Sequence, residues 1–238
     1  MIDPKIKYLF RIRILSILLP LISGAQENPL RIHCQTSFSE YRDQVEQDSS
    51  FAMFELRTIA PNIRYDLRYA TANNFVGVRM YPASCSVTFL RATAANALKK
   101  VQESLEKEGL GLKIFDAYRP YSVTCQFWDL VRDERYVAHP AKGSGHNRGL
   151  AIDLTIVEFE TGNELEMGTG FDHFSDTAHH GFKGLSEEMR LNRMKLKSIM
   201  EQSGFMAFET EWWHYSWPNN KDYPVMDFSF KQLTRKIK

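Results

Sequence analysis

Cysteine is scarce in this chain, and its placement rules out two common kinds of site. Cys34, Cys85 and Cys125 form neither a Cys-x-x-Cys pair nor a zinc-knuckle spacing, so a thiolate metal centre or a dithiol redox site is not expected. An excess of either charge is missing too. Thirty basic side chains face 29 acidic ones, for a net charge of +1, and they are interspersed, which gives no electrostatic case for nucleic acid or an anionic surface as partner. No apolar run approaches the roughly 20 residues that a membrane-spanning helix needs. Internal repeats and low-complexity tracts are absent as well. What is present is a 43% hydrophobic and 13% aromatic composition in 238 residues, enough for one domain with a sizeable core rather than a disordered chain.

The N-terminus stands apart from the rest. Lys5, Lys7, Arg11 and Arg13 precede a short apolar run, ILSILLPLI at 14–22, and Ser23-Gly24-Ala25 follow it. A basic start, a short apolar middle and small residues before the cut make a secretory signal cleaved after Ala25. The expected product is periplasmic or secreted, with no membrane span in the mature protein. A buried N-terminal helix or an uncleaved anchor is the alternative. In an oxidising compartment three cysteines suggest one disulfide and one leftover thiol, with Cys85–Cys125 as the pairing considered, against three unpaired thiols.

Three segments follow: the signal at 1–25, a polar lead-in at 26–53 expected to be poorly ordered or peripheral, and a catalytic domain at 54–238. Residues 54–59 alternate apolar and polar as a half-buried strand does, and 63–69 continue in that style. Ala94, Ala97, Leu98, Val101 and Leu105 recur at helical spacing within 93–108, and Gly109 stops that helix. Strands are expected at 112–118, 150–159 and 205–217. Further helices are expected at 121–134, with Pro120 as first residue, and at 187–203, closed by Gly204. Strands and helices mix without regular alternation, which predicts an α+β fold with a central, mainly antiparallel sheet and flanking helices.

Two segments carry chemistry. In Ser144-Gly-His146-Asn-Arg-Gly-Leu-Ala-Ile-Asp153 a histidine in a Gly-flanked loop runs into a strand. Period two puts Leu150, Ile152, Leu154 and Ile156 on one face of that strand and Asp153 on the other. Further on, Glu211-Trp-Trp-His214 adds a second histidine and a second carboxylate. Three N/O ligands and a nearby base are what a hydrolytic zinc site needs, so His146, Asp153 and His214 are read as ligands of one zinc ion and Glu211 as the general base. Glu211 and His214 would face opposite ways on a flat strand. Their convergence therefore requires a bulge, or a strand that begins after Glu211. Taken alone, this second segment reads equally well as core aromatics beside a surface charge.

Asp116-Ala-Tyr-Arg119-Pro120 ends a strand, where Arg119 can either stabilise an oxyanion or simply pair with Asp116 at the surface. Of the other histidines, His179 and His180 are adjacent, so their side chains diverge, and neither fits the ligand set as well as His146 or His214.

Asp-Ala-Tyr-Arg-Pro, Ser-Gly-His-Asn-Arg-Gly-Leu-Ala-Ile-Asp-Leu-Thr, Met-Gly-Thr-Gly-Phe-Asp and Glu-Trp-Trp-His-Tyr occur here in the order seen in VanX-like D-alanyl-D-alanine dipeptidases. The chain resembles these zinc peptidases over roughly residues 54–228. They are related to D,D-carboxypeptidases and the hedgehog domain. The resemblance implies the same ligands and the same base. It also implies transition-state stabilisation by Arg119 with Asp116 placing it, recognition of the substrate's free ammonium by Asp172, and substrate-side positions for Ser144 and Tyr69. The implied reaction is zinc-dependent hydrolysis of the small dipeptide D-Ala-D-Ala. The loops around 78–87 and 133–143 depart from the family pattern.

Three rivals remain at this point. A D,D-carboxypeptidase or endopeptidase would use the same metal site on peptidoglycan stems. A non-catalytic zinc-binding module for wall fragments would need neither Glu211 nor Arg119. A non-haem iron oxygenase also uses two histidines and a carboxylate, but its first histidine and carboxylate sit closer together than His146 and Asp153 do.

Overall fold

A computed structural model describes residue 32 and residues 34–236. The signal reading at 1–25 lies outside the described residues. Among those that are described, no helix is long and apolar enough to cross a membrane.

The architecture is α+β. Five strands form the main sheet in the order β2-β4-β5-β7-β6, spanning Arg64–Tyr65 (β2), Leu110–Asp116 (β4), Ala151–Glu158 (β5), Glu211–Ser216 (β7) and Met206–Phe208 (β6). Only β2 and β4 run parallel; the other pairings are antiparallel. A separate antiparallel pair joins β1, Met53–Glu55, to β3, Phe89–Arg91. Two long helices, α3 (Ala92–Glu106) and α6 (Glu187–Gln202), pack on the sheet and on each other. On α3 the buried stripe is Ala94, Ala97, Leu98, Val101 and Leu105, as the spacing predicts. β5 is buried on both faces: Ile152, Leu154 and Ile156 enter the core, while Asp153 and Thr155 occupy the other side.

Several local expectations are corrected. The strand expected at 54–59 lasts only to Glu55, and Leu56–Ile59 is a helical turn, α2. Glu55 decides this, because its carboxylate accepts the Thr58 N–H at 3.1 Å and caps the turn. The pattern at 63–69 yields only β2 and a 3₁₀ turn at Arg68–Ala70. Pro120 is the N-cap rather than the first residue of α4, Tyr121–Val131, which stops early where Arg132 turns left-handed at φ 50°. The single strand expected at 205–217 is a hairpin, β6 and β7.

The described part of the lead-in, from Cys34 on, is also more ordered than expected. Phe38–Gln47 forms α1, capped by the Ser37 hydroxyl. Tyr41 on α1 is buried against Phe38 and Phe228, and its hydroxyl accepts the Met53 N–H at 2.8 Å. No Cys85–Cys125 disulfide forms, because the two residues belong to different clusters. Cys85 packs on the main core, whereas Cys125 sits with Tyr121 and Val225, alongside Cys34.

Candidate active site and metal centre

One row across three strands builds the floor of the site. Asp116 on β4 lies in register with Asp153 on β5, and Asp153 lies in register with His214 on β7. The first pairing depends on a bulge. Ile114 pairs with Leu154, but the next partner of β5 is Asp116, not Phe115. A one-residue slip exchanges the faces of a strand, so the bulge puts a carboxylate rather than a phenyl ring beside Asp153. A second irregularity lies in the β6–β7 hairpin, where the partner jumps from Tyr215 to Glu211 between Ala207 and Phe208. This is the irregularity that the convergence of Glu211 and His214 requires. The strand nevertheless begins at Glu211 rather than after it, and Glu211 Oε2 comes within 3.9 Å of His214 Nδ1.

His146 reaches the row from the short helix α5, Gly145–Arg148. Ser144 caps this helix: its hydroxyl accepts the Asn147 N–H, and the Asn147 side chain accepts the Ser144 N–H. Gly149 closes the turn at φ 69°, and a Cβ there would meet Met53 Cε at 2.6 Å. His146 Nδ1–H donates to the Ala117 carbonyl at 2.7 Å, which leaves Nε2 with its lone pair, 3.5 Å from Asp153 Oδ2. On the other imidazole, Nδ1 is 2.8 Å from Asp153 Oδ1 and Nε2 is 3.2 Å from the Ser216 hydroxyl.

Ligand atoms of His146, Asp153 and His214 thus lie within 4.8 Å of one another. Burial holds both imidazoles below their ordinary pKa, with the Arg119 charge adding to the effect at each, so both rings are neutral donors. Each ring also has an outer partner at its other nitrogen. Two oriented imidazoles and one carboxylate fit a divalent metal ion of the zinc type. Charge balance points the same way. Burial raises the carboxyls of Asp116, Asp153 and Asp172, and lifts Glu211 to about 7. The Asp116 charge adds to the rise at Asp153, and the Asp153 charge to that at Asp172. Among the described residues, Arg119 is the arginine whose charge acts on these four acids, so the site's interior has room for more positive charge.

Arg119 is not a surface residue, its side chain being only 11% exposed. Its Nε and Nη2 both donate to Asp116 Oδ2, at 3.0 and 2.7 Å, and the Tyr81 hydroxyl donates to Asp116 Oδ1 at 2.7 Å. The guanidinium also lies 5.1 Å from the ring centroids of Tyr69 and Phe127. Asp172 takes a left-handed backbone, φ 60°, which aspartate tolerates better than most residues. The Tyr69 hydroxyl donates to its two oxygens at 3.2 and 3.1 Å.

All of these converge on one cleft of about 270 Å³, lined by Tyr69, Arg119, Ser144, His146, Asp153, Asp172, Glu211 and His214, with Asp116 behind Arg119. That volume falls just below the usual range for small-molecule sites, about 300–1,000 Å³. Sequence reasoning missed Tyr81, Ser216 and Phe208. Ser216 was within reach, since it follows His214 by two positions on the same strand face. The half-exposed Phe208 ring lies 5.4 Å from the His214 ring. His179 and His180 stay outside the metal-capable group, and His180 lines a different surface cleft with Arg190 and Lys197.

Comparison with known proteins decides the family. Residues 49–233 match the family described as D-ala-D-ala dipeptidase. The chain belongs to this family. It is 36% identical over 179 residues to the D-alanyl-D-alanine dipeptidase of Escherichia coli K12, covering 75% of this chain and 91% of that one. It is 34% identical to the D-alanyl-D-alanine dipeptidase of Enterococcus faecium, over 71% of this chain and 96% of the relative. The enzyme of the same name from Enterococcus faecalis is 33% identical, over 71% and 92%. The chain is accordingly a peptidase, and its metal-capable triad and cleft belong to a peptidase scaffold.

Proposed function

We propose that this peptidase hydrolyses the dipeptide D-Ala-D-Ala, with a zinc ion held by His146, Asp153 and His214. One observation carries the reading: a metal-capable triad, a carboxyl near neutrality and a partly buried, hydroxyl-held aspartate share a single small cleft. Zinc, when bound to such a triad, makes a water molecule acidic enough to attack near neutral pH and polarises the carbonyl under attack.

The protein's own groups do the rest. Glu211, raised to about 7 by burial, accepts the attacking water's proton and returns it to the leaving amine. Arg119, fixed by Asp116, donates to the oxyanion that develops on the carbonyl. Asp172, steadied by Tyr69, receives the substrate's free α-ammonium. A longer peptide has no ammonium at that position and would leave the partly desolvated carboxylate uncompensated, which restricts hydrolysis to dipeptides. Ser144 contributes a hydroxyl at the cleft wall. We further propose that residues 1–25 export the chain, so that hydrolysis takes place outside the cytoplasm.

The test is hydrolysis of D-Ala-D-Ala and L-Ala-L-Ala by protein loaded with zinc, stripped by a chelator, and reloaded. Cleavage of the D,D isomer that is lost on stripping and restored by zinc supports the reading. Cleavage that survives stripping overturns it.

A further inference from the structure

A dipeptide substrate carries a carboxylate as well as an ammonium, and this second charge needs its own partner. The present inference rests on the dipeptidase reading and concerns that partner. Two side chains lining the cleft are permanent cations, Arg119 and Arg135. Arg119 is already held by Asp116 inside the site. Ser144 offers only a neutral hydroxyl, which also serves as the α5 cap. Arg135 is different. It stands on the loop between α4 and α5, and its side chain is 75% exposed.

Its guanidinium folds back onto Asp133, with Nε 3.0 and 3.1 Å from the two carboxylate oxygens and Nη2 2.6 Å from Oδ2. Asp133 therefore presents to Arg135 the chemical group that a substrate's C-terminus would present. An ion pair this exposed contributes little stability and is readily exchanged for another carboxylate. The backbone beside it is anchored to the cleft: Tyr136 packs on Phe174 with ring centroids 4.9 Å apart, and both line the cavity. Arg135 can thus change partner without moving its loop away.

We propose that Arg135 is the specificity-determining residue for the substrate's free α-carboxylate and leaves Asp133 to bind it. A guanidinium meets a carboxylate through two parallel N–H donors, a contact that a C-terminal amide cannot reproduce.

The experiment compares D-Ala-D-Ala with its C-terminal amide in the zinc-loaded wild-type, Arg135→Gln, Arg135→Lys and Asp133→Asn proteins. In the wild type, kcat/KM is expected to favour the acid. Arg135→Gln should shrink that preference on the order of tenfold or more, chiefly through a higher KM for the acid. Arg135→Lys should recover part of it, and Asp133→Asn should lower KM for the acid. An acid-to-amide ratio unchanged in Arg135→Gln, in a protein that cleaves the free dipeptide, overturns the assignment of Arg135 and leaves the dipeptidase reading standing. A wild type that cleaves neither compound overturns that reading, and this inference with it.

Discussion

Arg119 directs two N–H groups at a single oxygen of Asp116, at 3.0 and 2.7 Å, and both side chains are withdrawn from solvent. The carboxylate's other oxygen accepts the Tyr81 hydroxyl at 2.7 Å, so the guanidinium is fixed on a base that is itself fixed. A lysine in its place keeps the charge but cannot present two donors in one plane. Arg119→Lys is expected to lower kcat by about 10²–10³-fold if the group acts as other oxyanion donors do. Metal content should stay at the wild-type level. Parallel kinetics and elemental analysis check this, and near-normal turnover would remove Arg119 from the reaction.

Glu211 approaches the row of ligands from the start of β7 without belonging to the group whose donor atoms converge. Glu211→Gln should therefore keep about one zinc per chain and lose orders of magnitude in turnover, because the proton carrier goes while the ligands remain. His214→Ala should lose the metal as well. Full zinc in His214→Ala, measured by elemental analysis, would take that residue out of the ligand set.

Tyr41 makes α1 part of the folded unit. Replacing it by phenylalanine removes the acceptor of the buried Met53 N–H, at a cost of about 1–3 kcal/mol. Urea unfolding of Tyr41→Phe measures that cost. A change within about 0.5 kcal/mol, the usual range for surface substitutions, would return α1 to the status of an appendage.

Export is tested by cell fractionation and N-terminal sequencing. The expected product begins at Gln26 and lies outside the cytoplasm. An intact Met1 in a soluble cytoplasmic pool would contradict the signal reading.

The parts of this protein that were legible in sequence are those governed by local periodicity. α3 follows from apolar spacing and a stopping glycine, α6 is closed by its own glycine, and Asp153 follows from alternation along β5. The clash of faces between Glu211 and His214 made an irregularity at the start of β7 necessary from the sequence alone. The bulge at Phe115 was not foreseeable, because only the register against β5 shows that Asp116 takes the place beside Asp153. Leu56 and Ile59 suit a helical turn as well as a strand edge, and the Glu55 cap settled what the pattern left open. The Tyr81–Asp116 and Tyr41–Met53 bonds join distant parts of the chain and leave no local signal. The metal-capable group was readable because chemistry restricts which residue types can serve. The groups that orient it were less so, because a backbone carbonyl such as that of Ala117 can do the same work from any residue.

The most direct test of the account is the rate of the zinc-loaded protein on free D-Ala-D-Ala against N-acetyl-D-Ala-D-Ala. Asp172, partly buried and held by Tyr69, pairs with the ammonium in this account, so acetylation should nearly abolish cleavage. The lost contact is a hydrogen bond to a charged group, worth about 1.5–3 kcal/mol, and the unpaired, partly desolvated carboxylate adds to the penalty. Asp172→Asn should slow the free dipeptide and narrow its advantage over the capped one. Equal rates on the free and acetylated compounds in the wild type would contradict the dipeptidase assignment and favour a carboxypeptidase acting on longer stems.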